Sequence, residues 1–360
     1  MGYHRPMTTR SRKNKPQEII CDGARKTAMP TVINPMLATL VDKPFSDPDW
    51  LFETKWDGVR AVCFVRNGKA GFVSRNQIEM TTQYPELANI AESISSSDAI
   101  LDGEIVALDQ GGVSRFQLLQ RRLGRKNSGE IARLASNTWI VYYVFDLLYL
   151  DGNDLTACKL LDRKTTLERI LRPSKNVRYS DHIIGEGKKL FEKVAQVPLE
   201  GMIAKRLVSK YVQRRSKDWL KIKTIQQSEV VIGGYTQPRN SRAYFGALVV
   251  GLYRAGTLHY VAHTGGGFNQ QTLAQTYKLL QPLKTKDCPF VEKPKTNEPV
   301  QWVKPKLVAQ VKFSEWTADE RMRHPIFLGL RLDKKPEECT FEIKRDTDQI
   351  LTKVERKSKR

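Results

Sequence analysis

The chain has 360 residues, of which 40% are hydrophobic and 28% are charged, and its formal net charge is +21. This length suffices for two domains with cores of their own, and the composition is that of a globular protein. No run of apolar residues is long enough to span a bilayer, and the N-terminus lacks the apolar segment of a signal peptide. We therefore expect neither membrane insertion nor secretion.

The positive charge is not confined to the two ends of the chain. Residues 1–28 carry a net charge of +5 and residues 351–360 one of +4, which leaves +12 of the +21 on residues 29–350. The alternative is a soluble protein whose charged ends are simply solvated, but such ends would not make residues 29–350 basic. We interpret the balance as a surface that binds nucleic acid phosphates.

The five cysteines are odd in number, widely spaced and never arranged as C-x-x-C. This pattern argues against a disulfide framework and against a zinc site. It fits a protein of the reducing cytoplasm.

The first two thirds of the chain after a polar start predict a domain of strands and helices. Residues 1–28 are polar and basic, and we expect a flexible arm. Asn67-Gly68 predicts a hairpin turn between two strands. The predicted strands cover residues 59–65, 70–74, 99–109, 139–148, 199–206 and 219–223, and the predicted helices cover residues 155–171 and 186–196.

Beyond residue 226 the pattern changes to short strands and turns. Strands are predicted at residues 230–236, 247–253, 258–263 and 307–313, and one helix at residues 270–280. Short strands with one helix suit a small barrel such as an OB-fold. The predicted organisation is an arm (1–28), a first domain (29–226), a second domain (227–350) and a basic tail (351–360), with an α+β fold class overall.

Lys55 is the candidate nucleophile, because it lies in the run K-x-D-G-x-R (55–60) at the end of an apolar strand. Attack on phosphorus requires a neutral amine, whereas a free lysine has a pKa of about 10.4 and is therefore charged at neutral pH. A site must lower that value by about 2 units, or roughly 2.7 kcal/mol. We expect nearby cations or a bound metal to do so. Taken alone, the motif also fits a solvated surface lysine.

Strand periodicity directs further charged side chains to common faces. These are Glu53 with Lys55 and Asp57, Asp102 with Glu104, and Lys221 with Lys223. If these side chains come together in one cleft, the cations would screen phosphates and the carboxylates would hold a metal or ribose hydroxyls. Phe145 could stack on a base. Each also has a plainer explanation, Phe145 as a core residue and the two lysines as a solvated strand face.

Five segments occur in a characteristic order, namely KWDGVR (55–60), LDGE (101–104), VFDLL (144–148), EGMIAKR (200–206) and WLKIK (219–223). This series resembles the motifs of the covalent nucleotidyltransferases, which include ATP-dependent DNA ligases, RNA ligases and mRNA capping enzymes. Within that superfamily the chain resembles bacterial ATP-dependent DNA ligases, in particular the ligase module of LigD-type end-joining enzymes. The resemblance extends over residues 35–334.

The resemblance implies a nucleotidyltransferase domain, ATP-grasp-like with antiparallel sheets and helices, followed by an OB-fold. It implies an ATP-dependent DNA ligase that seals strand breaks through a lysyl-AMP intermediate, in double-strand-break end joining. The implied cofactors are ATP and Mg²⁺ or Mn²⁺. The implied partners are nicked or broken duplex DNA and a Ku-type end-binding protein, and we expect a monomer in the bacterial cytoplasm, associated with the nucleoid.

The resemblance also implies roles for individual residues. Lys55 would receive AMP, Phe145 would stack on adenine, and Glu200 would bind the metal. The other implied contacts are Glu53 to the adenine edge, Arg60 and Arg75 to ribose or DNA phosphate, Glu104 to ribose and metal, and Lys221 and Lys223 to the α-phosphate. The remaining candidates are Asp57, Asp102, Arg323, Arg331 and Asp333.

The resemblance is loosest in the last motif, residues 323–334. Ile326 and Leu332 stand where related proteins often have polar residues, and Gln310 replaces an expected acid. An RNA ligase, a guanylyltransferase and a catalytically silent nucleic-acid-binding protein stay open as alternatives. An NAD⁺-dependent ligase is disfavoured, because the zinc-binding cysteine cluster of those enzymes is missing.

Overall fold

A computed structural model describes residues 21–358 of the chain, except residues 121, 123–124, 126, 136–137, 198 and 240. The first twenty residues of the predicted arm therefore lie outside the described part. The strands of the first part of the chain are β1 (Arg25–Lys26), β2 (Leu37–Leu40), β3 (Trp50–Thr54), β4 (Val59–Arg66), β5 (Lys69–Ser74), β6 (Ala99–Leu108), β7 (Trp139–Leu150), β8 (Asn153–Asp154), β9 (Val177–Tyr179), β10 (His182–Ile184), β11 (Gly201–Arg206) and β12 (Arg215–Lys223).

The strands of the second part are β13 (Gln227–Thr236), β14 (Leu248–Arg254), β15 (Thr257–Thr264), β16 (Lys284–Thr285), β17 (Val300–Lys312) and β18 (Ile326–Leu330). The helices are α1 (Phe116–Gln120), α2 (Ser128–Ala135), α3 (Leu160–Ile170), α4 (Gly187–Ala195), α5 (Gln270–Leu280) and α6 (Thr347–Ser358). Antiparallel sheets with separate helices confirm the predicted α+β class.

The first part of the chain folds into two sheets. Sheet one has the order β1-β8-β7-β6-β4-β5, with β9 parallel to β7, and sheet two has the order β10-β3-β11-β12-β2. The predicted hairpin between β4 and β5 is confirmed, because Asn67 and Gly68 both adopt positive φ angles of 50° and 73°. β1 pairs with β8, so the expectation of a flexible arm is wrong for residues 25–26.

Each sheet of this first part has its own core. Inward residues of β4, β6 and β7 pack with Phe116, Leu119, Leu167 and Ile170 of the helices that cover sheet one. Sheet two packs Phe52, Met202 and Leu220 against Val41, Phe45 and Ile350. A third cluster contains Phe145 and Trp219 and lies where the two sheets face each other. The polar cleft described below is beside this third cluster.

The second part of the chain forms one antiparallel sheet, in the order β15-β14-β13-β17-β16, with β18 paired to β17. Its core combines Val231, Val250, Val261 and Val308 with Leu280 from α5. α5 covers the predicted residues 270–280 and begins with a capping box of Asn269 and Thr272. The residue pattern Arg254-Ala255-Gly256 predicts a hairpin turn between β14 and β15, and this turn is confirmed, with φ angles of 48° at Ala255 and 81° at Gly256.

Two local expectations are wrong. α3 begins at Leu160 and not at residue 155, because the Asp154 carboxylate accepts a hydrogen bond from Thr156 N and holds a turn there. Cys21 and Cys158 form a disulfide although the cysteine pattern argued against one; their Cα atoms lie 5.7 Å apart across 137 residues of sequence. Spacing alone does not reveal such a long-range pair. Cys63, Cys288 and Cys339 are free.

α6 crosses the predicted start of the tail at residue 351 and packs on the first part of the chain. Ile350 is 4% exposed and joins the core beneath sheet two. Thr347 donates a hydrogen bond of 2.7 Å to the Asp42 carboxylate. After the sheet of the second part (β13–β18), the chain therefore returns to the first part and packs on sheet two.

Candidate active site

The cleft between sheets one and two collects the predicted polar side chains. Sheet two contributes Glu53 from β3 and Lys221 and Lys223 from β12, while sheet one contributes Arg60 from β4 and Glu104 from β6. Lys55 follows the last residue of β3 and lies in the short connection that leads to β4. This connection crosses from one sheet to the other, so it places Lys55 between the two sets of side chains.

Two glycines allow this connection to lie close to its neighbours. A Cβ atom on Gly58 would come within 2.3 Å of the Ile105 carbonyl oxygen. Gly201 has a φ of 145°, and a Cβ there would come within 2.0 Å of the Ile222 oxygen. The Gly201 carbonyl in turn accepts a hydrogen bond of 2.9 Å from Lys55 N. The backbone of Lys55 is thereby fixed next to Glu200.

Lys55 forms an ion pair with Glu200, and its side chain is 20% exposed. Burial acts to lower the pKa of Lys55, but the carboxylates of Glu200, Glu104 and Asp57 outweigh burial, and the pKa is raised. The expectation that neighbouring cations depress this pKa is therefore wrong, while the effect of a bound metal stays a prediction. The amine is therefore charged here and paired with the Glu200 carboxylate.

Several carboxylates line the same cavity as Lys55, and those of Asp57, Glu104 and Glu200 are the ones that act on its pKa. Burial raises the pKa of Glu104 to about 7, and burial together with Glu200 raises the pKa of Asp57 to about 6. Within the described residues no three His, Cys, Asp or Glu side chains form a ready metal cage. Carboxylate oxygens are nevertheless donors that fit Mg²⁺, which takes one or two carboxylates and completes its shell with waters and phosphates.

A smaller cavity of about 120 Å³ adjoins the Lys55 side chain and is lined by Phe145, Trp219, Ile203, Glu53 and Lys205. Phe145 is 7% exposed. The Nζ atom of Lys205 lies 4.2 Å from the Phe145 ring centroid and 4.3 Å from that of Trp219. Aromatic and aliphatic walls with polar groups at one edge are what a nucleobase requires. Phe145 is therefore both a core residue and a wall of this cavity.

Glu53 lies at the end of the small cavity and is held by two lysines. Lys164 Nζ of α3 lies 2.5 Å from one carboxylate oxygen, and Lys205 Nζ lies 2.7 Å from the other. Burial acts to raise the pKa of Glu53, but the two ammonium groups outweigh it, and the pKa is lowered. Burial lowers the pKa of Lys205 to about 8 in spite of Glu53. The predicted adenine contact would therefore come from a carboxylate that is already ion-paired.

Arg60 is oriented by a carboxylate that does not line either cavity. The Asp102 side chain is fully buried and accepts two hydrogen bonds of 2.6 Å from the Arg60 guanidinium. Tyr211 donates a third hydrogen bond, of 2.6 Å, to Asp102. The Arg60 guanidinium also lies 4.5 Å from the Phe145 ring centroid. Asp102 thus acts on the site through Arg60.

The second domain closes the larger cavity, whose volume is about 240 Å³. Arg331 binds the Asp333 carboxylate at 2.7 and 2.9 Å and stacks 4.3 Å from the ring centroid of Phe116 in the first domain. Lys334 and Arg331 both contact Glu229, at 3.2 and 3.1 Å. All four charged residues line the cavity that contains Lys55. The last motif, which is the loosest in sequence, therefore does reach the cavity that contains Lys55.

Two further predicted residues differ in their location. Arg75 lines the large cavity and lies 3.2 Å from Glu338 of the second domain. Arg323 does not join the site. Its side chain is 60% exposed, in the connection between β17 and β18, where it pairs with Glu315. The structure thus brings together every predicted site residue except Arg323, with Asp102 acting indirectly.

Sequence reasoning missed several charged residues of the site. Lys205 and Lys334 lie inside recognised motifs, so their type and position were visible in the sequence. Lys164, Glu229 and Glu342 lie outside those motifs, and the sequence carried no signal for them. Glu342 pairs with both Lys221 and Lys223 from a position more than a hundred residues further along the chain. Only the fold shows these contacts.

A lysine beside a nucleobase-sized cavity, with cations and carboxylates from two domains, defines the site of a covalent nucleotidyltransferase. Residues 35–223 match the family described as ATP dependent DNA ligase domain, and residues 241–334 match the ATP dependent DNA ligase C terminal region. The chain belongs to the ATP-dependent DNA ligase family. Its fold is accordingly a nucleotidyltransferase domain followed by an OB-fold domain, as predicted.

Similar proteins include the multifunctional non-homologous end joining protein LigD of Mycolicibacterium smegmatis, which is 37% identical over 88% of this chain and 41% of that protein. LigD of Pseudomonas aeruginosa is 36% identical over 88% of this chain and 37% of that protein. The chain thus spans about two fifths of the length of these relatives. A solved structure of mycobacterial DNA ligase D complexed with ATP and MES is 34% identical, covers 86% of this chain and 98% of that one, and has a TM-score of 0.63.

No described helix has the length and apolar character needed to cross a membrane.

Proposed function

We propose that this chain joins DNA strands at the expense of ATP and that Lys55 carries AMP between the two substrates. The observation that supports this proposal most directly is the position of Lys55, which lines both the small aromatic cavity and the larger charged cavity. A nucleotide whose base enters the first cavity and whose phosphates enter the second has its α-phosphorus next to the amine. Family membership and the charge of +21 support the same function.

In the first step the Lys55 amine, once it has lost its proton and its bond to Glu200, attacks the α-phosphorus of ATP. A P–N bond forms, the bond to the bridging oxygen breaks, and pyrophosphate leaves. Lys221 and Lys223 bind the α-phosphate, and Arg331 and Lys334 of the second domain bind the departing phosphates. Donors fixed before the reaction stabilise the charge that develops in the transition state.

The later steps return the lysine to its starting state. A DNA 5′-phosphate attacks the lysyl-AMP phosphorus, the P–N bond breaks, and AMP becomes linked to the DNA end. The adjoining 3′-hydroxyl then attacks that 5′-phosphate, a phosphodiester bond forms, and AMP leaves. Arg60, held by Asp102, and Arg75 are the cations we assign to the ribose and to DNA phosphate. Glu53 and Phe145 are assigned to the adenine base.

A divalent ion bound by Glu200 and Glu104 would neutralise phosphate charge and favour the neutral amine of Lys55. We propose Mg²⁺ or Mn²⁺, since both accept carboxylate, phosphate and water oxygens.

The biological setting is also a proposal. The two LigD relatives are named as non-homologous end joining proteins. We propose that this chain acts in the same kind of repair, as a monomer on broken duplex DNA in the bacterial cytoplasm, at the nucleoid. A Ku-type end-binding protein would be its partner.

The first experiment is to incubate the protein with Mg²⁺ and α-labelled ATP and to examine it on a denaturing gel. We expect a labelled band that is absent in Lys55→Ala, while DNA binding by that variant persists. A wild-type band without label would contradict the lysyl-AMP mechanism. Joining assays on nicked DNA, gapped DNA and DNA with double-strand ends, each with and without a Ku homologue, then identify the substrate. Efficient use of GTP, or sealing of RNA ends only, would favour an RNA ligase or a guanylyltransferase instead.

A further inference from the structure

Glu342 forms ion pairs with Lys221 and Lys223, the two lysines that we assign to the α-phosphate. One of its carboxylate oxygens contacts Lys221 Nζ, and the other lies 3.3 Å from Lys223 Nζ. The lysine side chains are 16% and 12% exposed, so solvent does little to replace this partner. All three residues line the cavity that contains Lys55. Glu342 lies eight residues beyond the end of the matched ligase region at residue 334.

The segment that carries Glu342 is fixed on both sides. On the N-terminal side, Tyr253 N of the second domain donates a hydrogen bond of 2.7 Å to the Cys339 carbonyl. On the C-terminal side, Arg345 N donates to the Leu40 carbonyl at 3.0 Å, and Asp42 N donates to the Arg345 carbonyl at 3.1 Å. Residues 340–344 therefore span from the second domain to the first across the cleft. Their short length limits where the carboxylate can go.

A further anchor lies beyond this span. Thr347 bonds to Asp42, Ile350 packs under sheet two, and Lys43 Nζ lies 2.5 Å from the Asp348 carboxylate. Of these contacts only the Lys43–Asp348 pair is well exposed, with side-chain exposures of 53% and 68%. The anchor holds the segment without any contact to the cavity. The chain therefore provides separate residues for attachment and for occupation of the cavity.

A carboxylate and a phosphate are both oxyanions that accept hydrogen bonds from ammonium groups. Lys221 and Lys223 cannot keep Glu342 and also bind a nucleotide phosphate in the same place. We propose that Glu342 competes with the nucleotide in the adenylylation step: its carboxylate binds the two lysines and leaves them when the triphosphate arrives. Because ATP must displace this carboxylate, Glu342 weakens the binding of ATP.

This inference rests on the proposed function, and it makes a prediction opposite to that for a contact that merely holds the domains together. If Glu342 only stabilised the closed arrangement, its loss would raise the ATP concentration needed for half-maximal labelling of Lys55. If Glu342 competes with phosphate, its loss lowers that concentration. The apparent affinity for a ligand is reduced by the fraction of molecules whose site is free, so a carboxylate that occupies the lysines in about four fifths of the molecules or more weakens ATP binding about fivefold or more.

The test uses the full chain, Mg²⁺ and α-labelled ATP, and measures the labelling rate as a function of ATP concentration. We expect Glu342→Gln to lower the half-saturating ATP concentration about fivefold or more, with the maximal rate retained. Glu342→Asp keeps the charge and should stay near the wild-type value. The matched control Asp348→Asn removes an ion pair of the anchor and should change neither quantity.

Three results would overturn the inference. These are an unchanged or raised half-saturating concentration in Glu342→Gln, an equal decrease in Glu342→Asp, and an equal decrease in Asp348→Asn. Thermal unfolding of each variant shows that the proteins compared are folded. If the wild-type protein itself takes up no label, the proposed function fails. If the wild type is labelled but Glu342→Gln has the same half-saturating ATP concentration, only the inference about Glu342 fails.

Discussion

Substitution of Phe145 separates its two roles, as a core residue and as a wall of the nucleobase cavity. Phe145→Leu keeps an apolar but smaller side chain at a position that is 7% exposed. Such a large-to-small change in a core costs on the order of 1–3 kcal/mol of stability. The change also removes the flat aromatic face, and stacking of a base on an aromatic ring contributes about 1–3 kcal/mol.

The expected result follows from these two values. A loss of about 1–3 kcal/mol corresponds to about a 5- to 150-fold increase in the ATP concentration needed for half-maximal adenylylation. Since the reacting phosphate does not contact the ring, we expect the maximal rate to change much less. The assay is labelling of the protein by α-labelled ATP over a range of ATP concentrations, with urea unfolding of the same samples.

Phe72→Leu provides the matched control. Phe72 is 1% exposed and packs edge-on against Tyr142 in the core of sheet one, away from the cavity. We expect a similar or larger loss of stability with an unchanged ATP requirement. If Phe145→Leu loses stability but binds ATP as well as wild type, Phe145 is only a core residue and the nucleobase assignment of the small cavity is refuted.

The remaining predictions test the site's charges. Asp102→Asn removes the buried charged partner of Arg60. We expect the free energy of unfolding, measured with urea, to fall by about 3–5 kcal/mol and DNA sealing to become slower. Unchanged stability would contradict the pairing. Because the pKa of Glu53 is lowered, its contribution to stability is present above its unfolded pKa of about 4.3 and is lost as pH falls through the folded value. Glu53→Gln should therefore be less stable than wild type at neutral pH. The difference in free energy of unfolding between the two proteins should become smaller as the pH is lowered. A difference that does not change with pH would refute the ion pairing of Glu53. DNA affinity should fall steeply with salt in a binding titration, since phosphate contacts release counterions; a flat response would exclude the basic surface as the DNA site.

The sequence was most informative where chemistry and local pattern coincide. Lys55 and Glu200 lie in short segments whose residue types and order are specific, so their roles could be proposed without coordinates. The turns at Asn67-Gly68 and Ala255-Gly256 were equally visible, because their backbone angles require particular residues. Patterns of this kind depend on neighbours within a few positions.

The sequence was least informative about partners that come from distant segments. Lys164 lies 111 residues from Glu53, and nothing near it distinguishes it from a surface lysine of a helix. Cys21 and Cys158 are 137 residues apart. Arg323 shows the reverse error, since its motif is correct but the loop between β17 and β18 carries it to the surface. Pairwise contacts of this type are set by the tertiary fold and not by local pattern.

The expectation for the Lys55 pKa failed for a related reason, because it considered one lysine and not the whole charge set. In the structure the cations of the cleft already have carboxylate partners: Lys55 has Glu200, Lys221 and Lys223 share Glu342, and Arg331 has Asp333. A triphosphate that takes these cations leaves buried carboxylates without partners, which is costly at low dielectric. A divalent ion that arrives with the nucleotide removes that cost, so ATP and metal should each strengthen the binding of the other.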